Sequence, residues 1–291
     1  PTDTQDVSVR VKVSPTMAAL LNVTLTYRVN YGSEVTVSMY DDGAHGDGDA
    51  ADGLYGANIP NSASTPGQMV RYFVTARDVE NRTSRWPLFK SPTASPQYWG
   101  WMVRDTTVSS ALPVLYWWVQ DPNSAKTEVG TQASIYYAGE FYDNVHVRLR
   151  GQSSGWWPKP HYKFDMNNGH FLRWSDTAPR AEEFNLQSTF SDKSYIRSIL
   201  GWESYRAAGV PYCETYPLRV QQNGTFHSVA TFLEQPDERL LTRIGLDADG
   251  ALYKMYNECT DAYGGVEKKT RETEDNSDLA ALVQGIQLQG S

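Results

Sequence analysis

Residues 148–164 read RLRGQSSGWWPKPHYKF, and the interpretation of the second half of the chain depends on this stretch. Polar and apolar side chains alternate on both sides of a segment rich in Gly and Ser, which is typical of two β-strands joined by a loop. Backbone donors in such a loop, together with cations held on the flanking strands, suit a polyphosphate. The candidate binding residues are Arg150, Ser153, Ser154, Lys159 and Lys163. The alternative is that these cations only line a solvated strand face.

The neighbouring segments extend the strand-rich pattern. Residues 112–119, 132–137 and 144–150 are apolar and aromatic, and they predict three strands before the loop. Residues 194–208 predict the main helix, because Asp192 can cap its start and Gly209 can end it. The helix would carry an apolar stripe formed by Ile196, Ile199, Leu200 and Trp202.

A hairpin is predicted after this helix. The dipeptide Asn223-Gly224 is a strong turn signal between two strand-like segments, residues 217–220 and 226–233. A short helix over residues 237–243 would follow. This half of the chain is therefore expected to be a mostly antiparallel sheet with one main helix.

These segments, in this order, resemble the CotH family, the spore-coat-type atypical protein kinases. The resemblance lies between residues 145 and 254 and rests on five motifs: an Arg-Gly-x-Ser-Ser turn at 150–154, a Pro-Lys strand at 158–159, an Asp-x-Ser-x-x-Arg helix start at 192–197, the Asn-Gly hairpin at 223–224 and a Glu-Gln-x-Asp segment at 234–237. It implies a kinase-like lobe that uses ATP with Mg or Mn, and phosphorylation of extracellular proteins by the intact protein.

The resemblance also implies roles for two acidic residues. Glu203 would lie on the helix that corresponds to the regulatory helix of kinases, where it could pair with Lys159 or Lys163. The alternative is a contact between Glu203 and Arg206 on the exposed face of the helix. Adenine would dock near residues 232–235, which include Glu234.

The sequence departs from the family pattern in two places. Pro160 replaces the second Lys of the Pro-Lys strand, and residues 255–291 contain no segment like the family's Asn and Asp metal-binding motifs. We therefore expect the chain to be a fragment that does not complete phosphoryl transfer by itself. A non-catalytic extracellular assembly protein, built from the same modules, is the alternative function.

The first part of the chain predicts a different module. Apolar residues alternate with polar ones over residues 7–13, 22–30, 34–40 and 68–78, without a helical pattern. This favours an antiparallel β-sandwich of immunoglobulin or fibronectin type III character. It resembles the sandwiches that precede CotH domains. The predicted organisation is α+β overall, with a sandwich at 1–90, a linker at 91–111 and the kinase-like domain at 112–291.

An acidic loop interrupts the first module at residues 41–53. It contains five carboxylates among four glycines: Asp41, Asp42, Asp47, Asp49 and Asp52. Calcium prefers six to eight oxygen ligands on a flexible backbone, and alternating Asp and Gly residues supply both. The other interpretation is a solvated Asp-Gly turn, which is common between strands.

Composition restricts the partners. The formal net charge of −8 argues against nucleic acid and gives no reason to expect an anionic membrane partner, and no apolar stretch is long enough to cross a bilayer. We expect a secreted or cell-surface protein that contacts other extracellular proteins or itself. The two cysteines, Cys213 and Cys259, are compatible with either a disulfide or two buried thiols.

Overall fold

A computed structural model describes residues 1–151 and 153–289, apart from the side chains of Ser153, Leu288 and Gln289. The first module contains seven strands: β1 (Val7–Lys12), β2 (Leu20–Val29), β3 (Val35–Met39), β4 (Leu54–Ile59), β5 (Met69–Asp78), β6 (Thr83–Trp86) and β7 (Trp99–Met102). β1 and β4 form one sheet, and the order β3-β2-β5-β6 forms the other, with β7 paired to β5. Buried residues such as Leu25, Ile59 and Val70 form the core of this module. The predicted immunoglobulin-like sandwich is confirmed.

The sandwich continues into the segment that was predicted to be a linker. Trp99–Met102 pairs with β5, and Val103 exchanges backbone hydrogen bonds with Gly67 and Gln68. Gly100 permits the close approach, because a Cβ at this position would lie 2.6 Å from the carbonyl oxygen of Val70. A linker over residues 91–111 is therefore wrong for residues 99–103. The strand is short and follows a Pro-rich segment, so its sequence pattern is weak.

The second module is built around a closed barrel. Its strands are β8 (Val114–Val119), β9 (Thr131–Tyr137), β10 (Glu140–Arg150), β11 (His161–Asp165), β12 (Glu183–Ser188), β13 (Thr215–Gln222) and β14 (Thr225–Glu234). They follow the order β10-β11-β12-β14-β13-β8-β9 and then close. β13 and β8 pair in parallel, whereas the other pairs are antiparallel. The interior is filled by aromatic residues including Trp117, Phe164 and Phe232, all with 0% exposure.

Three α-helices and a small hairpin accompany the barrel within the described residues: α1 (Arg197–Ala207), α2 (Glu238–Arg243), β15 (Tyr253–Met255), β16 (Val266–Lys268) and α3 (Ser277–Gln289). Asp192 accepts a hydrogen bond from the Arg197 amide at 2.9 Å and so holds the start of α1, but the helix begins at Arg197 rather than Ser194, with Ile196 at the N-cap position. Gly209 has φ +70° just beyond the end of α1. The expectation of one main helix is too simple, since α3 is longer than α1.

The apolar stripe predicted on α1 is not buried. No residue of α1, which the structure describes in full, is buried, and Leu200 is 56% exposed. Ile196, just before the helix, is 46% exposed. Within the described residues, no helix is both long enough and apolar enough to traverse a membrane.

Candidate functional site

Strands β10, β11 and β12 direct a row of charged residues to the outside of the barrel. Val147, Phe164 and Phe184 face the interior, and the residues between them face outward. Arg148 lies opposite Lys163, which lies opposite Asn185, and directly opposed residues of antiparallel strands share a face. We call this outer surface the charged face. Its members are His146, Arg148, Arg150, His161, Lys163, Asp165, Glu183 and Asn185.

Lys163 is held by two carboxylates of the same surface. Its Nζ lies 2.5 Å from Glu183 Oε2 and 3.4 Å from Asp165 Oδ1, and the Lys163 side chain is only 14% exposed. Burial raises the pKa of Glu183, although the hydrogen bond from Lys163 opposes this shift. A strand Lys is therefore paired with a half-buried carboxylate, but the carboxylate comes from the neighbouring strand rather than from α1.

Arg150 differs from Lys163 because it has no acidic partner. Among the described residues, no carboxylate lies within 4.0 Å of its guanidinium. Burial lowers the pKa of Arg150. The guanidinium is partly removed from water, and no carboxylate compensates its charge. Its neighbour His161 accepts a hydrogen bond from the Ser188 amide through Nδ1, and burial together with Arg150 lowers the pKa of His161 to about 4. His161 is therefore neutral at pH 7, and Arg150 is a cation of the charged face that is free to bind an anion.

The loop after β10 is closed by its own side chains. Gly151 adopts φ +81°, and the buried Ser154 donates from Oγ to the carbonyl oxygen of Arg150 at 2.8 Å. Ser154 therefore stabilises the turn beside Arg150. The side chain of Ser153, predicted as a ligand, lies outside the described residues. Lys159 lies elsewhere, with its Nζ 5.8 Å above the ring of Phe226 on β14.

The two predicted glutamates are both engaged by arginines. Glu203 contacts Arg206 at 3.2 Å on the exposed side of α1, which is the alternative that the sequence left open. The other candidate, a pairing of Glu203 with Lys159 or Lys163, is not formed, because Lys163 is paired within the sheet and Lys159 lies over Phe226. Glu234 is buried and receives hydrogen bonds from Arg243 at 2.7 and 2.8 Å. It ties the end of β14 to α2.

The segment after β14 adds polar groups that the sequence analysis missed. Asn185 donates from Nδ2 to Gln235 Oε1 at 2.8 Å, and its buried Oδ1 has no partner among the described residues. Asp237 caps α2 through the amides of Arg239 and Leu240, and burial raises the pKa of Asp237 to about 6. Phe232, expected near adenine, lies inside the barrel with 0% exposure, so its ring is not available to a ligand.

The alternation of side chains along β11 is enough to place one more residue of the charged face from the sequence alone. Asp165 is two residues after Lys163 and therefore shares its face. Glu183 and Asn185 become partners only through the pairing of β11 with β12, which a single sequence does not specify.

The acidic loop of the first module is organised by its own backbone. Asp47 is buried and accepts hydrogen bonds from the amides of Asp42, Gly43 and His45 at 2.6 to 2.9 Å. These backbone bonds, led by that of Gly43, lower the pKa of Asp47. Three of the other carboxylates also accept hydrogen bonds from backbone amides: Asp41 from Gly53, Asp42 from Ala44 and Asp52 from Leu54. Within the described residues, no three His, Cys, Asp or Glu side chains are grouped as metal ligands. The geometry favours the turn, and calcium binding stays a prediction.

The two cysteines are free thiols in separate apolar clusters. Cys213 packs with Leu233, Leu240 and Leu241 beneath α2, and burial raises its pKa to about 12. Cys213 is therefore an unreactive, protonated core residue at neutral pH.

Residues 147–289 match the family model described as CotH kinase protein, from within β10 to the end of α3. The chain carries a CotH kinase-family domain. Residues 2–76 match the second immunoglobulin-like domain of conditioned medium factor. No curated protein matches the chain. The match confirms the CotH resemblance and the immunoglobulin-like module before it. The barrel of the CotH domain also includes β8 and β9, which lie before the matched residues.

Proposed function

We propose that the charged face of the CotH domain binds the phosphates of ATP, with Mg or Mn, in a protein kinase that acts on extracellular proteins. The observation that carries this proposal is Arg150, a desolvated guanidinium without a carboxylate partner beside a Gly-Ser loop. A buried cation without compensation is unfavourable, and an anionic ligand would relieve that cost. Membership in a kinase family supports ATP as the source of the anion.

The charged face offers two different modes of phosphate contact. Arg150 can present a planar fork to two phosphate oxygens, whereas Lys163 presents a point charge. Lys163 is already neutralised by Glu183 and Asp165, so a phosphate would have to compete with these carboxylates or share the cation with them. We therefore assign the larger part of the binding energy to Arg150. A divalent metal ion bound with the nucleotide would supply positive charge and so reduce the repulsion between the phosphates and the carboxylates of Glu183 and Asp165.

Calorimetric titration of the chain with ATP and Mg or Mn tests the proposal. We expect saturable binding, a loss of at least tenfold in affinity in Arg150→Ala, and a smaller loss in Lys163→Ala. Arg197→Ala is the matched control, because its side chain is 79% exposed at the start of α1 and is not a member of the charged face. Undetectable binding at millimolar ATP, or equal affinity in Arg150→Ala and the control, would contradict the proposal.

A second candidate function is non-catalytic assembly, in which the chain associates with copies of itself at a cell surface. The observation in its favour is the exposure of apolar residues on and beside α1: Tyr195, Ile196, Leu200, Tyr205 and Val210 are each at least 43% exposed. Contiguous apolar exposure of this kind is typical of contact surfaces. The oligomeric state of the chain, measured by sedimentation velocity, tests this candidate.

A further inference from the structure

A polar cavity of about 190 Å³ lies where the two modules meet. The sandwich contributes residues of β2 and β5, and the barrel contributes residues of β9 and β10. Its polar lining includes Arg28, Arg71, Gln97, Gln120, Gln132 and Ser134. Junctions between modules are common places for ligand sites, because two surfaces can enclose a molecule that neither could enclose alone.

Arg71 forms one wall of this cavity and is only 5% exposed. Its Nη1 donates to Asp143 Oδ1 at 3.2 Å, and its Nη2 donates to the carbonyl oxygen of Asn30 at 2.7 Å. The rings of Tyr31 and Tyr98 lie 4.7 and 4.8 Å from the guanidinium carbon. Arg71 is therefore rigidly placed, yet its buried Nε has no hydrogen-bond partner among the described residues.

Arg28 repeats this pattern on the same cavity. Its Nε is also buried and without a partner among the described residues, and its Nη1 makes only a long contact of 3.5 Å with the hydroxyl of Tyr98. Buried donors are nearly always satisfied by protein, water or a ligand. Two unsatisfied guanidinium donors lining one cavity therefore call for an acceptor inside it.

The charge of the lining favours an anionic acceptor. Asp143 is the one acidic residue among the described lining residues, against the two arginines. Its Oδ1 already accepts from Arg71 and from Ser134 Oγ, and its Oδ2 accepts from the Tyr98 amide. Asp143 is thus already engaged by three donors, and the lining retains one positive charge.

A β-bulge shapes the barrel side of the cavity. The register between β9 and β10 shifts between Tyr142 and Val145, and Asn144 has φ +57°. Asp143 and Asn144 are carried to the cavity by this irregularity. Bulges are frequent beside binding sites, where they redirect a side chain that a regular strand would point elsewhere.

We propose that this junction cavity binds a small molecule that carries a carboxylate and hydroxyl groups, such as a hydroxy acid or an acidic monosaccharide. The carboxylate oxygens accept from Arg28 and Arg71. The amides of Gln97 and Gln120 can both donate to and accept from hydroxyl groups. The volume lies below the roughly 300–1,000 Å³ of sites for larger ligands, which restricts the molecule to about the size of one sugar.

The test is calorimetry and thermal unfolding of the full chain with sodium galacturonate and sodium lactate, at constant ionic strength. Galactose is the neutral counterpart of galacturonate, and sulfate serves as a generic anion. We expect saturable binding of at least one carboxylate, with galactose and sulfate at least tenfold weaker. Because such a ligand contacts both modules of the folded chain, it should raise the midpoint of thermal unfolding by several degrees.

Two variants locate the binding. Arg28→Gln removes one guanidinium and should reduce carboxylate affinity at least tenfold. Gln120→Glu places a repelling charge at an exposed edge of the cavity, where the fold tolerates it, and should weaken carboxylate binding without affecting galactose. Arg10→Gln, on β1 and outside the cavity lining, is the control that should bind as the unaltered chain does.

Three results would overturn the proposal. One is the absence of binding by both carboxylates at millimolar concentration, which would mean that water alone fills the cavity. Another is carboxylate binding whose affinity is the same in both cavity variants as in the unaltered chain. The third is an affinity for sulfate equal to that for the carboxylates. Each of these is independent of ATP binding, since none of the cavity residues belongs to the charged face.

Discussion

At the scale of single residues, the environment rather than the residue type decides what a charged side chain can do. Arg150 and Lys163 lie on the same face of the barrel, but Lys163 is neutralised by Glu183 while Arg150 is desolvated without an acid nearby. The same holds for Glu234, whose carboxylate is bound by Arg243 and therefore has a structural role. Residue identity predicted Arg150, Lys163 and Glu234 as candidates, and only their partners separate binding from structural roles.

The first residue-scale prediction concerns Asp47. Asp47→Ala should lower the midpoint of thermal unfolding by a few degrees, because three backbone amides lose their shared acceptor. Circular dichroism melting with and without calcium measures the effect. Asp49→Ala is the matched control, since its carboxylate makes no hydrogen bond in the described part of the chain. If calcium binds this loop, adding it will stabilise the unaltered chain, and that stabilisation will be reduced in both variants.

The second residue-scale prediction concerns pH. Burial lowers the pKa of His161 to about 4, below its usual value of 6.5, so protonation favours the unfolded chain. This contribution to stability is complete above pH 6.5 and is lost as the pH falls toward 4. His161→Gln should remove about 1 kcal/mol of the difference in unfolding free energy between pH 7 and pH 5, since partial exposure screens the effect. Urea unfolding at both pH values measures it. An equal pH dependence in the variant would show that His161 is not buried in its neutral form.

At the scale of elements, local signals and tertiary pairing contribute differently. The start of α1 is set by Asp192, and the β13–β14 hairpin by Asn223 and Gly224, which have φ +51° and +82°. Both follow from short segments of sequence. The closure of the barrel instead requires β8 to pair with β13, so that Val114 lies beside Arg219. No local sequence pattern specifies a contact between residues that lie as far apart in the chain as Val114 and Arg219.

The prediction at this scale concerns the exposed apolar side of α1. Leu200→Glu should abolish self-association if copies of the chain meet through α1, because a charge cannot be buried at an apolar contact without a partner. Sedimentation velocity over a range of concentrations measures the change, with Arg197→Glu as a control on the same helix. A concentration-independent monomer before any substitution would remove the assembly function from consideration.

At the scale of the whole molecule, the two modules are joined by a buried junction rather than a flexible linker. Met69, Met102, Tyr116, Trp118 and Phe141 form one apolar cluster from both modules. Trp118 donates from Nε1 to the carbonyl oxygen of Gly67 at 3.1 Å, and the buried Arg71–Asp143 ion pair lies nearby. Interfaces that are large and apolar restrict motion between domains.

The junction predicts that the modules unfold together. Tryptophan fluorescence and far-ultraviolet circular dichroism should report a single coincident urea transition. Phe141→Ala, which removes a junction side chain, should separate this transition into two or lower its midpoint, because truncating a buried Phe costs about 3–5 kcal/mol. Leu25→Ala, in the sandwich core alone, is the comparison that should destabilise the chain without separating the transitions. Two separate transitions in the unaltered chain would show that the junction does not couple the modules.

The sequence by itself determined the strands with regular alternation, the capped helix, the Asn-Gly hairpin, the CotH resemblance and the presence of an immunoglobulin-like module. These features depend on neighbours within a few residues or on motifs in a fixed order, so they can be read from one chain. The tertiary structure alone decided that β7 belongs to the sandwich, that the sheet closes into a barrel, and that Lys163 pairs with Glu183 rather than Glu203. It also decided which cations lack a partner. Burial and charge pairing depend on segments far apart in the chain, and their energies are set only when those segments meet.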